Sequence, residues 1–328
     1  MKRILFLVFL SCLWVSAMTQ NQVIQKDTIV VAGDGTGDYR NLQEVFDRIR
    51  AFRPDPTVVF IKKGTYREKL VLHSWLQNVT LMGEDRDQTV LTWDDHANIN
   101  NLGTFRSYTL LIQGDLITVE NLTVENNAPQ KGQAVALHTE GDKLIFRNCR
   151  LLGNQDTFFA GRKGARQYFE NCYIEGTTDF IFGPSTCWFE ACTVHCKRNS
   201  FITAASTPSD EAYGFIFNHC KITVDDSVDK MYLGRPWRPY GMTLFMNCEL
   251  PKEITPEGWQ NWGNPQNEKT ARYMEYNNTG VGANTANRVK WVKILTSQEA
   301  AAYTLDQVMK GCDGWNPATL TKKNPNNK

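Results

Sequence analysis

Short apolar runs alternate with polar or glycine-bearing corners through the middle of the chain. They read NVTLMGE at 78–84, NLTVENN at 121–127, RNCRLLGNQDTFF at 147–159, ENCYIEGTTDFIFG at 170–183, EACTVHCK at 190–197, NHCKITV at 218–224 and MNCEL at 246–250. Each is β-prone and bounded by turn formers, which is the pattern of a short strand. The units recur every 20 to 43 residues. One such unit has nothing to cover its apolar face, whereas a stack of them shares a core. No amphipathic helix of crossover length lies between them, which argues against a doubly wound sheet or a TIM barrel. An antiparallel sandwich also uses many short strands. The repeated Asn-Cys and the fairly even spacing favour an all-β, right-handed parallel β-helix with coils about 4.8 Å apart.

The ends follow other periods. Leu42, Val45, Phe46 and Ile49 have helical spacing within NLQEVFDRIRA at 41–51, predicting a short helix over one end of the solenoid. SQEAAAYTLDQVMK at 297–310 predicts a second helix, with Ser297 as N-cap and Gly311 near its stop, packed on the solenoid. The polar tail 317–328 is expected to be loose. At the other end, Lys2 and Arg3 precede an apolar run, Ile4 to Val15, too short to span a bilayer. Val15, Ser16 and Ala17 then supply small residues for cleavage. Residues 1–17 therefore read as a signal peptide, and 18–328 as one β-helical domain that is secreted or periplasmic. Cys12 as a lipid-attachment site is disfavoured by Phe9 at the usually aliphatic position. No later stretch is apolar enough to be an integral membrane segment, and no inhibitory pro-domain is expected between the signal peptide and the first coil.

Charge adds an exclusion. Lys and Arg total 36 against 35 acidic residues, with no basic tract or finger-like Cys/His spacing, so no nucleic-acid partner is expected. Net charge says nothing about a local basic cleft for an acidic polymer. Export permits disulfides. However, Cys149, Cys172, Cys192, Cys220 and Cys248 recur at 23, 20, 28 and 28 residues, four of them after Asn or His. That predicts stacked core thiols within strand-like runs. No CxxC pair suggests a metal.

Two segments could carry chemistry. GNQDTFF at 153–159 and GTTDFIFG at 176–183 each hold one aspartate, Asp156 and Asp179, 23 residues apart like Cys149 and Cys172. Carboxylates on adjacent coils repel, so one should keep its proton while the other is ionised. Gln133 lies 23 residues before Asp156, and Gln155 adjoins it. Two amides beside two carboxylates could hold an acyl-transfer oxyanion, or form a self-satisfied polar ladder. Arg235, between Gly234 and Pro236, could keep Asp179 ionised. Trp237 could wall a sugar site, extended by Phe159, Trp259 and Trp262, although the last two suit loop packing equally well. No serine elbow occurs in a plausible triad. The five histidines lack metal-site spacing and read as structural, with His138 the most suspicious because it follows the Gln133 strand. Gly33 to Asp38 reads as a glycine turn and not a calcium loop.

With GTYREKL at 64–70, GQAVAL at 132–137 and YLGRPW at 232–237, these segments resemble the pectinesterase (pectin methylesterase) family, carbohydrate esterase family eight, from about Ile29 to Trp291. The resemblance implies release of methanol from methylated homogalacturonan (pectin) without metal or organic cofactor. It implies Asp179 as nucleophile, Asp156 as general acid and then base, Gln133 and Gln155 as transition-state donors, Arg235 as the partner of Asp179, and Trp237 and Phe159 at the substrate. The chain departs from many relatives at Arg238 to Gly241 and at Thr203 to Pro208. A monomer is expected. The rival readings are a polygalacturonase or pectate lyase on the same solenoid, and a non-catalytic polysaccharide-binding solenoid.

Overall fold

The computed structural model describes residues 26–319. The predicted signal peptide 1–17, Cys12 and most of the tail lie outside the described residues. The chain winds as a parallel β-helix. Among the described residues, one sheet has eleven strands and two have seven, and every strand pairs in parallel with its equivalent in the next coil. A typical coil runs from Leu144–Arg147 in the first sheet, through Arg150–Leu152 in the third, to Phe158–Ala160 in the second. Because successive side chains alternate in direction, each strand sends one set inward and the other outward.

The inward set forms ladders. Phe146, Phe169, Phe189, Phe217 and Phe245 share one register and stack with ring centroids 4.5, 4.9, 4.5 and 4.3 Å apart. The corner between the first and third sheets explains the recurring Asn-Cys. Asn121, Asn148, Asn171, Ala191, His219, Asn247 and Asn277 all have positive φ there. Asparagine tolerates this left-handed conformation better than most residues. Its amides also bond along the stack, from Asn148 to Asn121 at 2.6 Å and from Asn277 to Asn247 at 2.9 Å. The next residue turns into the core, so Cys149, Cys172, Cys192, Cys220 and Cys248 line up as buried free thiols. The expected stack exists, but these cysteines sit at the corner just before the third-sheet strands and not within them.

The terminal elements differ from expectation. Helix α1 is Leu42–Arg48, and Ile49 already has extended backbone. The predicted helix 297–310 is two pieces, α2 (Ser297–Ala300) and α3 (Leu305–Met309). Thr296, not Ser297, caps the first, in a reciprocal box with Glu299, and Thr304 caps the second. The tail is not loose at its start: Pro317 is buried, and its carbonyl accepts from Arg147 at 3.0 Å. Among the described residues no helix is long and apolar enough to cross a membrane.

Candidate active site

The site lies where chain leaves the third sheet and enters the second. Phe158 pairs with Ile181, so the offset of 23 residues carries Asp156 directly onto Asp179 in the next coil. Both have positive φ, 67° and 49°, and both are tied by backbone bonds, Asp156 N to Thr178 O at 3.2 Å and Asp179 N to Phe201 O at 2.8 Å. The strain of a left-handed aspartate is held in place by the coils on either side. The glutamines follow a different register. Leu137 pairs with Phe158, an offset of 21 residues, and Ala134 N donates to Gln155 O at 3.1 Å. That offset sets Gln133 opposite Asn154, and not on Asp156 as equal spacing suggested, although Gln133 and Gln155 still line one cavity.

Arg235 leaves the end of the strand Tyr232–Gly234 and reaches back to Asp179. Its Nε and Nη2 donate to the two carboxylate oxygens at 3.0 and 2.6 Å. The guanidinium is held flat between Phe201 at 4.0 Å and Trp262 at 3.8 Å from the ring centroids. A planar, bidentate and stacked cation of this kind is a task for arginine and not lysine.

Asp156 and Asp179 are 8% and 6% exposed, so burial dominates their titration. Burial pushes Asp156 well above the usual carboxylate range, the charge of Asp179 adds to this, and Arg235 opposes it. Burial also raises Asp179, but the direct bonds and charge of Arg235 pull it back. Both carboxyls thus titrate above the usual range, Asp156 the further of the two because it lacks the direct bonds to Arg235 that stabilise the charge of Asp179.

Both aspartates open into one cavity of about 220 Å³, lined also by Gln133, Gln155, Arg235 and Trp237. Sequence reasoning missed Thr104, Phe105 and Phe182 in the same wall. Phe105 is 47% exposed and arrives on a loop between the strands Thr89–Trp93 and Leu110–Ile112. Phe182 was inside the quoted GTTDFIFG motif and was its one available signal. Phe159 lies behind this wall, with its ring 4.8 Å from Phe105 and 4.6 Å from Phe182. Trp262 lines the cavity, whereas Trp259 is 1% exposed in the core and donates to Glu275 at 2.9 Å. Among the described residues no group of three or more His, Cys, Asp or Glu is arranged to hold a metal ion.

A buried carboxylate pair with amide neighbours in a solenoid cleft suits acyl transfer. Together with the relatives of the chain, it defines a carboxylic ester hydrolase built on a parallel β-helix. More narrowly, the chain belongs to the pectinesterase family, whose model matches residues 28–312. It is 38% identical to pectinesterase 31 of Arabidopsis thaliana, over 83% of this chain and 89% of that protein. It is 35% identical to the probable pectinesterase/pectinesterase inhibitor 23 of the same plant, over 90% of this chain but only 54% of that protein. Among solved structures, pectin methylesterase from carrot superposes with a TM-score of 0.84 at 32% identity, covering 90% of this chain and 96% of that one. The pectin methylesterase of Erwinia chrysanthemi gives 0.76 at 27% identity, covering 88% and 98%.

Proposed function

We propose that this chain hydrolyses the methyl esters of homogalacturonan to methanol and de-esterified pectate, with its two aspartates dividing the work. The ionised Asp179 attacks the ester carbonyl carbon. The oxygen of that carbonyl takes up the negative charge, and the Gln133 and Gln155 amides donate to it. Collapse of the tetrahedral intermediate breaks the bond to the methoxy oxygen, which leaves as methanol with the proton of Asp156. The product is an acyl-enzyme on Asp179 and an ionised Asp156. A water then attacks the acyl carbon and gives its proton to Asp156. Collapse of this second intermediate frees the galacturonate carboxyl and restores Asp179. Trp237 and Phe105 wall the sugar, with Phe159 supporting them from behind.

The observation that carries this reading is the bidentate bond from Arg235 to Asp179 beside an unclamped, buried Asp156. It makes the two carboxylates unequal in the sense the mechanism needs. The pectin methylesterase solved with a hexasaccharide supports a polymeric sugar in the cleft. The signal-peptide pattern of residues 1–17 supports action outside the cytoplasm. The test is incubation of the purified chain with highly methylated pectin. Methanol with unchanged chain length supports the esterase. Shortened chains would mean a glycoside hydrolase, and an unsaturated end absorbing in the ultraviolet a lyase.

A further inference from the structure

His138 has no part in the chemistry above, yet it touches the wall of the cleft from behind. It points outward from the strand Leu137–Thr139 but is only 4% exposed, because the loop carrying Phe105 folds over it. The ring sits 4.7 Å from that of Phe159, with Tyr108 edge-on at 6.0 Å. Its Nδ1 lies 3.3 Å from the carbonyl oxygen of Phe105. Its Nε2 is buried without a well-aligned hydrogen-bond partner, and the Glu140 carboxylate lies 3.3 Å away. A side chain on residue 161 would crowd that nitrogen, since a Cβ there would stand 3.0 Å from it, so Gly161 keeps the position open.

Both groups facing the ring are acceptors. A neutral imidazole has one N–H, so it serves either Phe105 or Glu140 and turns a lone pair toward the other. Only the imidazolium suits both. The Phe105 carbonyl faces the imidazole, and the adjacent carbonyl is held by a cationic side chain. Lys69 donates to the next, Arg106 O, at 2.6 Å while paired with Asp95. Of these two anchors only the imidazole changes charge in the ordinary range of pH 5 to 8.

The other charged groups around the ring bear on this. Glu140 is held down to about 2, first by its contact with His138, and the Gln113 amide adds to this while burial opposes it. Arg162 donates to the Glu140 carbonyl at 3.2 Å and pairs with Asp115. Tyr108, under the Lys69 ammonium, is pushed up by burial. Arg106 is on the loop itself and donates to Leu102 O at 2.7 Å.

We propose that His138 is a positioning residue that, as imidazolium, pins the Phe105 backbone and so sets the aromatic wall of the cleft, and that loss of its proton loosens this wall. The proposal rests on the reading of the cleft as the pectin site. The linkage is reciprocal: protonation favours the docked loop, and substrate that needs the docked loop favours protonation.

The experiment has two arms. In the first, KM and kcat for methylated oligogalacturonide are measured from pH 5.5 to 8 for wild type, His138→Gln and Glu140→Gln. The KM of His138→Gln relative to wild type should be about two- to tenfold higher at pH 5.5, the value of one hydrogen bond. The ratio should fall toward one at pH 8, with kcat little changed. In the second arm, which needs no substrate, hydrogen exchange of a peptide covering residues 104–108 is followed across the same range, corrected for intrinsic rates. Wild type should lose protection as pH rises, and His138→Gln should show no such change. Glu140→Gln, at a more exposed position, removes the carboxylate that faces the ring and should lose protection at a lower pH than wild type. A KM ratio constant with pH would overturn the proposal, as would loop protection in wild type that ignores pH. If wild type released no methanol at all, the function reading would fail, and the exchange arm would still decide the role of His138.

Discussion

At the scale of single residues, the site works because two equivalent positions in neighbouring coils receive unequal partners. Asp179 has Arg235 on both oxygens, whereas Asp156 has burial and a neighbouring negative charge. The folded protein therefore binds a proton at Asp156 more tightly than the unfolded chain does. The stabilisation tied to that proton is full below the unfolded pKa of about 3.9 and is lost as pH rises through the higher folded value. Asn mimics the protonated acid, so Asp156→Asn should leave Tm nearly unchanged near pH 4 and raise it by a few degrees at pH 8. Thermal melts at the two pH values check this, and an equal shift at both would refute it. Arg235→Ala should lower kcat by roughly 100-fold or more while changing KM little, because the clamp sets the charge of the proposed nucleophile and not the grip on polymer. Steady-state kinetics on methylated pectin decide between these two effects. The aspartate pair was legible in the sequence because a shared offset survives as register. Gln133 was placed two positions off because the coil before Asp156 is two residues shorter in the second sheet. Phe105 was not legible at all. Its loop is irregular, and its place in the wall comes from folding over His138, which no periodicity encodes.

At the scale of elements, the corners matter more than the strands. A left-handed Asn followed by a small buried residue turns the chain from the first sheet into the third, and the sequence displays this as Asn-Cys. The repeat was therefore readable, although its location was taken for strand and not corner. The eight described cysteines are free, and seven are buried. A thiol reagent should thus label Cys312 quickly in the native protein and the other described thiols only after denaturation. Labelling several thiols at one fast rate in the native state would contradict the ladder. The C-terminal helices show the opposite limit of sequence reading. Ala300, Ala301 and Ala302 favour helix, and the run to Lys310 looks continuous. Thr296 and Thr304 both act as N-caps, however, and Tyr303 packs against Tyr213 between them. Docking on the outer face of the first sheet overrides the local propensity.

At the scale of the molecule, coils contact mainly their neighbours, so a solenoid transmits stability along its axis. The C-terminal segment instead lies across the axis. Arg166 bonds Asp142 at 2.6 Å and Asp313 at 2.7 Å, lies over Trp315, and donates to Met309 O at 3.0 Å. The cluster of Tyr168, Trp188, Leu244, Val308 and Trp315 beneath it is separate from the solenoid core. Arg166→Ala should raise hydrogen exchange across residues 305–319 and leave kcat on pectin near the wild-type value. Equal loosening of the strands around Asp179 would mean that the strap supports the site. The all-β solenoid itself was legible from the repeats, because each unit's unpaired apolar face admits few solutions. That the C-terminal segment packs on the solenoid was expected from its apolar face, but the Arg166 contacts that tie it down were not, because they join residues more than a hundred positions apart.

The central claim is that Asp179 is the nucleophile and Asp156 the proton carrier. Rapid-quench methanol release, paired with intact-mass analysis, tests it on wild type, Asp179→Asn and Asp156→Asn. We expect no methanol from Asp179→Asn, even in the first turnover, with binding of a demethylated oligogalacturonide retained. We expect Asp156→Asn to be slowed in both steps, with any trapped acyl adduct mapping to Asp179. Wild-type turnover or a covalent sugar on the Asp179→Asn protein would contradict the account, and an adduct mapped to Asp156 in the wild-type enzyme would reverse the two roles.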